Sequence, residues 1–113
     1  MSIFLHTSPV FWEWDGFADK LYRIATENEY AALQNELEKN PERGDRVQAL
    51  GGARKIRMSI KGRGKSGGAR VVYYVRSSAE IWFIDIYAKA DKKDLSAAEK
   101  KRIAKIVSIL KGG

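Results

Sequence analysis

Cysteine is absent from this 113-residue chain, histidine occurs once and proline twice. Each shortage removes a class of function. Without cysteine there is no disulfide framework and no thiolate metal site, and the composition fits a reducing compartment, so the cytoplasm is the expected location. With His6 as the sole histidine, neither a paired-histidine acid–base mechanism nor a multi-histidine metal centre can be assembled. No stretch approaches the roughly 20 apolar residues that cross a bilayer. The opening Met1–His6 has no basic lead and is followed by Pro9 and acidic residues, so neither a signal nor a transit peptide is expected. The length suits one domain over residues 1–113, expected to be soluble and to have no membrane partner.

Carboxylates are missing too, but only locally. Residues 1–45 hold four Lys/Arg against nine Asp/Glu, residues 46–79 hold nine against none, and residues 80–113 hold eight against five. The overall charge of +7 is therefore concentrated in a 34-residue block without one acid, a positive field suited to a polyanion such as a phosphate backbone. An anionic membrane surface fits less well, because the block reads as strands and a loop rather than a basic amphipathic helix.

Periodicity divides the chain into helical and extended parts. Ile3, Phe4 and Leu5 suit a short edge strand, and Ser8-Pro9 has the form of an N-cap followed by a first helical residue, predicting a helix that carries Phe11, Trp12, Trp14, Phe17, Leu21 and Tyr22. Thr26 and Glu29 have capping-box spacing ahead of the stripe Tyr30, Leu33, Leu37, and Asn40-Pro41 ends this second helix. Gly44 to Gly52 reads as an ordered connection. From Arg54 to Lys61 the period becomes two: Ile56, Met58 and Ile60 alternate with Lys55, Arg57, Ser59 and Lys61. Gly62 to Gly68 reads as a turn, Arg70 to Arg76 and Ile81 to Tyr87 as further strands, and Ser96 with Glu99 caps a terminal helix lined by Ile103, Ile106, Val107 and Leu110. The expected fold is α+β, a twisted antiparallel sheet with two N-terminal helices and one C-terminal helix, in the order β-α-α-β-β-β-α.

One glycine-rich match misleads. Gly62-Arg63-Gly64-Lys65-Ser66-Gly67 fits G-x-G-x-x-G, but a strand follows where a dinucleotide site needs a helix N-terminus. A hairpin tip whose Lys61, Arg63 and Lys65 close over a phosphate backbone is the better reading. Alternation places Lys55 and Arg57 on an open face and adds Arg70, Val72 and Tyr74 if Val71, Tyr73 and Val75 face the core. Three cations brought together repel one another unless an anion relieves them, and such groups stabilise charge developing on a scissile phosphate. Asp85, Asp91 and Asp94 read as a charge offset on the sheet and as loop or capping residues rather than a metal-nuclease cluster. Trp12 and Trp14, in the acidic half, suit core packing or a partner-protein surface, and Tyr74 and Tyr87 are the better candidates for stacking on bases.

From Asn40 onward the chain resembles the HigB branch of the RelE-like toxins. The carriers are Asn40-Pro41-Glu42-Arg43-Gly44-Asp45, Gly51-Gly52-Ala53-Arg54-Lys55-Ile56-Arg57, Gly64-Lys65-Ser66-Gly67-Gly68-Ala69-Arg70-Val71-Val72-Tyr73-Tyr74 and Tyr87-Ala88-Lys89-Ala90-Asp91-Lys92-Lys93-Asp94-Leu95. The resemblance implies a ribosome-dependent messenger-RNA endonuclease of a type II toxin–antitoxin pair, acting in the ribosomal A site without a metal or other cofactor. It implies a cognate antitoxin, expected to carry a helix-turn-helix domain, and contact with ribosomal RNA. By the same resemblance Lys55, Arg57 and Arg70 orient the backbone while the ribose 2′-hydroxyl attacks the adjacent phosphate, with Tyr87 in stacking or proton transfer. Lys89 is assigned to phosphate contact, and Arg54, Lys61, Arg63, Lys65, Tyr74 and Lys93 complete the RNA-binding set. RelE has an arginine where this chain has Ala90 and a tyrosine near Ser96, so the general base does not carry over; Lys55, Tyr87 and Lys93 are the replacements to test. A non-catalytic nucleic-acid binder or decayed toxin using the same basic sheet is the competing expectation.

Overall fold

A computed structural model of the protein describes residues 8–61 and 67–112. Five strands, β1 (Val10–Glu13), β2 (Asp45–Arg46), β3 (Arg54–Ile60), β4 (Gly68–Ser77) and β5 (Glu80–Ala88), form one sheet in the order β1-β5-β4-β3-β2. Three helices among the described residues, α1 (Phe17–Ile24), α2 (Glu27–Lys39) and α3 (Ala97–Gly112), pack on it. The architecture is α+β as expected, but the sheet is mixed: β1 runs parallel to β5 and the other pairs are antiparallel.

The N-terminal expectation is corrected. Val10–Glu13 is a strand, not the start of a helix at Ser8-Pro9, and α1 begins only after Gly16, whose φ of 89° is in the left-handed region that glycine tolerates. Pairing with β5 decides the matter. Phe11 stacks on Phe83 at 5.5 Å on one face and Trp12 on Trp82 at 5.7 Å on the other. Such aromatic pairs each add about 0.5–1.5 kcal/mol beyond area burial, and a helix through Pro9 would forfeit them. The expected strand at Ile3–Leu5, His6, and the hairpin-tip residues Arg63 and Lys65 lie outside the described residues.

Both helix caps read from the sequence are present. Glu29 N–H donates to Thr26 Oγ1 at 3.2 Å while Thr26 N–H donates to Glu29, and Ser96 and Glu99 exchange the same two bonds ahead of α3. α2 ends at Asn40, as the following proline requires.

From Ile56 every second residue of β3 is buried, and the alternation along the strands divides the core into two. Ile56, Met58, Ile60, Val71, Tyr73, Phe83 and Ile86 pack with Phe17, Leu21, Leu33 and Leu37 under α1 and α2. Val72, Ile84 and Tyr87 pack with Leu50, Ala53, Ile103, Ile106, Val107 and Leu110 on the opposite face, under α3. The second face is thus covered over much of its length. Asp85 lies beside an irregularity in the β4–β5 register, buried, with Lys20 of α1 at 2.9 Å and Arg102 of α3 at 3.7 Å. It links helices on opposite faces across the edge of β5; the expectation that it offsets the sheet's cations is corrected, because its carboxylate is engaged there.

Candidate functional site

Strand register builds the site. Arg57 on β3 lies directly opposite Arg70 on β4, and Arg70 lies opposite Tyr87 on β5, so the three side chains leave the same face in one row. Lys55, two residues along β3, shares that face. Like charges directly opposite on neighbouring strands destabilise a sheet, and Arg70 adds to this by being only 8% exposed. Its guanidinium donates to the Ala69 carbonyl at 3.2 Å. Arg57 is exposed, and its side chain has no hydrogen-bond or ion-pair partner among the described residues.

An open cleft of about 700 Å³ gathers these groups. Lys55, Arg57, Arg70 and Lys89 line it together with Arg43 and Arg46, against two acids, Glu36 and Asp45. Arg43 is bound to Glu36 at 2.7 Å. Lys55 Nζ is 3.4 Å from the Asp94 carboxylate, whose other oxygen is 3.6 Å from Lys100. The backbone N–H of Leu95, aided by these two lysines, holds the Asp94 carboxyl below its ordinary range. Lys89 is steered by its Nζ, which donates to the Lys93 carbonyl at 2.9 Å.

The rim of the cleft is the turn from Pro41 to Arg46, and it is fastened from below. The Tyr73 hydroxyl accepts from Gly44 N–H at 2.8 Å and donates to the Pro41 carbonyl at 2.7 Å. Burial pushes the Tyr73 phenol up, which keeps it a donor at neutral pH. Arg54 donates to the Gly44 and Glu42 carbonyls at 2.8 and 3.1 Å. Gly44 has no room for a side chain: a Cβ would stand 2.8 Å from the Tyr73 ring and 2.9 Å from the Lys55 carbonyl.

Of the residues singled out from the sequence, Lys55, Arg57, Arg70 and Lys89 come together. Others do not. Val72 is fully buried beneath Leu50 and α3 rather than on an open face. Tyr74, half-buried, lies beyond it in a smaller pocket with Arg54, whose guanidinium is committed to the turn. Tyr87 belongs to the core under α3, 4% exposed, with Lys92 5.4 Å above its ring and no partner for its hydroxyl among the described residues. It presents no face on which a base can stack. Lys61 follows β3, exposed, beside Arg23 and Asp91, and Lys93 is exposed on the turn after β5.

Arg43, Arg46 and the Lys55 contact of Asp94 escaped the sequence reading. The first two sit on a strand of only two residues and its approach, too short for a periodic signal, although the Asn40–Asp45 run that carries the resemblance contains Arg43. Asp94 was legible only as a local loop residue, because its partner is 39 positions away.

No helix among the described residues is long and apolar enough to cross a membrane. A family model described as the RelE toxin of the RelE / RelB toxin-antitoxin system matches residues 23–112, which includes α2, the whole cationic cleft and α3. The chain belongs to the RelE toxin family, the toxin half of a toxin–antitoxin pair, whose members act generally as translation-inhibiting messenger-RNA interferases.

Proposed function

We propose that this toxin is a ribosome-dependent endoribonuclease of the HigB kind, cutting messenger RNA in the A site and silenced by an antitoxin with a helix-turn-helix domain. The observation that carries this reading is the opposition of Arg57 and Arg70 in a cleft whose remaining wall is also mostly cationic. A phosphate entering the cleft meets both guanidinium-bearing strands at once.

In the reaction, the ribose 2′-oxygen loses its proton and attacks the adjacent phosphorus. The P–O5′ bond breaks, the leaving oxygen takes a proton, and the products carry a 2′,3′-cyclic phosphate and a 5′-hydroxyl. Arg57 and Arg70 bind the non-bridging oxygens and stabilise the charge that grows on them. In this reading Lys55 donates toward the leaving oxygen, and Lys89 holds the neighbouring phosphate. The reading needs no metal. Contact with ribosomal RNA uses the surrounding positive field, and the cytoplasm supplies both ribosome and message.

Expression of the chain alone in bacteria, followed by mapping of new 5′ ends, tests this reading. New ends within translated messages, lost with Arg70→Ala, support it. Intact messages despite growth arrest would point to the non-catalytic alternative, a binder using the same cleft.

A further inference from the structure

The cleft does not end at its rim. Arg46 lines it and also lines a second pocket of about 210 Å³ on the far side of the Val47–Ala53 segment, together with Tyr74, Gly51, Gly52, Arg54 and Lys111. Tyr74 leaves the same face of β4 as Arg70, four residues and so roughly 13 Å further along the strand. Val72 between them is sealed under Leu50. The two pockets are therefore separate, joined at the surface through Arg46.

The second pocket combines an aromatic face with cations that lack internal partners. The side chains of Arg46 and Lys111 make no hydrogen bond or ion pair among the described residues. Gly51 and Gly52, at φ +69° and +113°, form the wall between the Tyr74 ring and Lys111; a Cβ on Gly52 would stand 3.5 Å from Tyr74 Cε1 and 4.0 Å from Lys111 Nζ. Bare backbone there leaves the space beside the ring open. The acid present, Glu42, leans toward Arg54 at 4.0 Å.

We propose that this pocket is a second nucleotide subsite for the same RNA strand, stacking a base on Tyr74 and holding its phosphate between Arg46 and Lys111, a few nucleotides from the scissile linkage. The inference rests on the RNA-cleaving assignment of the main cleft. Single-stranded RNA is the ligand whose chemistry fits both pockets at once: a phosphate chain that crosses Arg46 and a planar base at its end.

Binding of 2′-O-methyl oligoadenylates, which resist 2′-hydroxyl attack, is measured by fluorescence anisotropy at low salt with the full chain. A trimer fills the main cleft alone, and a heptamer reaches both pockets. The heptamer-to-trimer affinity ratio should be about tenfold larger in the wild type than in Tyr74→Leu, the usual scale for one stacked base. Lys111→Gln, on an exposed residue outside the main cleft, should shrink the ratio about threefold, independent of any packing change at Tyr74. Equal ratios in all three proteins would overturn the subsite while leaving the main cleft standing. If the wild type binds neither oligomer and Arg57→Gln changes nothing, the RNA reading fails and the subsite with it.

Discussion

Replacing Arg57 with glutamine should stabilise this protein while disarming it. Arg57 and Arg70 are paired directly across β3 and β4, and Arg70 is 8% exposed, so its charge is poorly hydrated and its neighbour's repulsion incompletely screened. Opposed like charges on adjacent strands are worth roughly 0.2–1 kcal/mol. Arg57 itself is exposed, so a value of about 0.5 kcal/mol is appropriate. For a domain of this size that corresponds to a rise in Tm of about 2 °C. Thermal unfolding at low ionic strength reads the rise directly. In 1 M salt the Debye length falls to about 3 Å and the difference from wild type should shrink to about 1 °C or less. Arg57→Lys keeps the charge and should show no rise, which separates repulsion from lost packing. Growth arrest should disappear in the glutamine variant despite its higher Tm. A variant less stable than wild type at low salt, or equally toxic, would refute the idea that the cleft stores unfavourable charge for a phosphate to relieve.

Other consequences follow from neighbouring contacts. Tyr73→Phe leaves the Gly44 N–H unpaired beneath the rim, costing about 1–3 kcal/mol and lowering Tm by roughly 4–12 °C in calorimetry. Asp94→Asn removes the carboxylate that competes with RNA for Lys55 and Lys100, so RNA affinity should rise about two- to fivefold while Tm changes by no more than about 3 °C. The Lys92 hydrogen bond, followed by that from Ser96 N–H, lowers the Glu99 pKa from 4.5 to about 2. A depressed folded-state value gives stability that is present above the unfolded pKa and lost as pH falls, so acid unfolding between pH 4.5 and 2 should be shallower in Glu99→Gln. Association with ribosomes should weaken with salt; four phosphate contacts in a single strand predict a log–log slope of roughly −3.

How far the sequence disclosed this molecule depended on whether a signal was local. The β3 alternation was legible because one face of that strand meets the core and the other meets the cleft. Capping boxes at Thr26 and Ser96 were legible because all their atoms lie within four residues. β1 was not, because Phe11, Trp12 and Trp14 serve both faces, leaving an aromatic run that fits helix or strand equally; only pairing with β5, some 70 positions later, chooses between them. The extent of the open face failed for a related reason. Alternation assigns Arg70, Val72 and Tyr74 to one side but is silent on where α3 lands, and its burial of Val72 and Tyr87 splits what looked like one cationic surface into a cleft and a separate pocket. Tyr87, a candidate base from the sequence alone, keeps its hydroxyl buried under the same helix.

The most direct test of the central claim is the chemistry of the cut ends. Purified protein is incubated with ribosomes carrying a short defined message, and the fragments are treated with polynucleotide kinase and with phosphatase before separation. Fragments should carry a 2′,3′-cyclic phosphate and a 5′-hydroxyl, and their yield should fall about 10²–10³-fold in Arg70→Ala. Undiminished cutting in that variant, or 5′-phosphate ends, would contradict the assignment of the opposed arginines to the scissile phosphate.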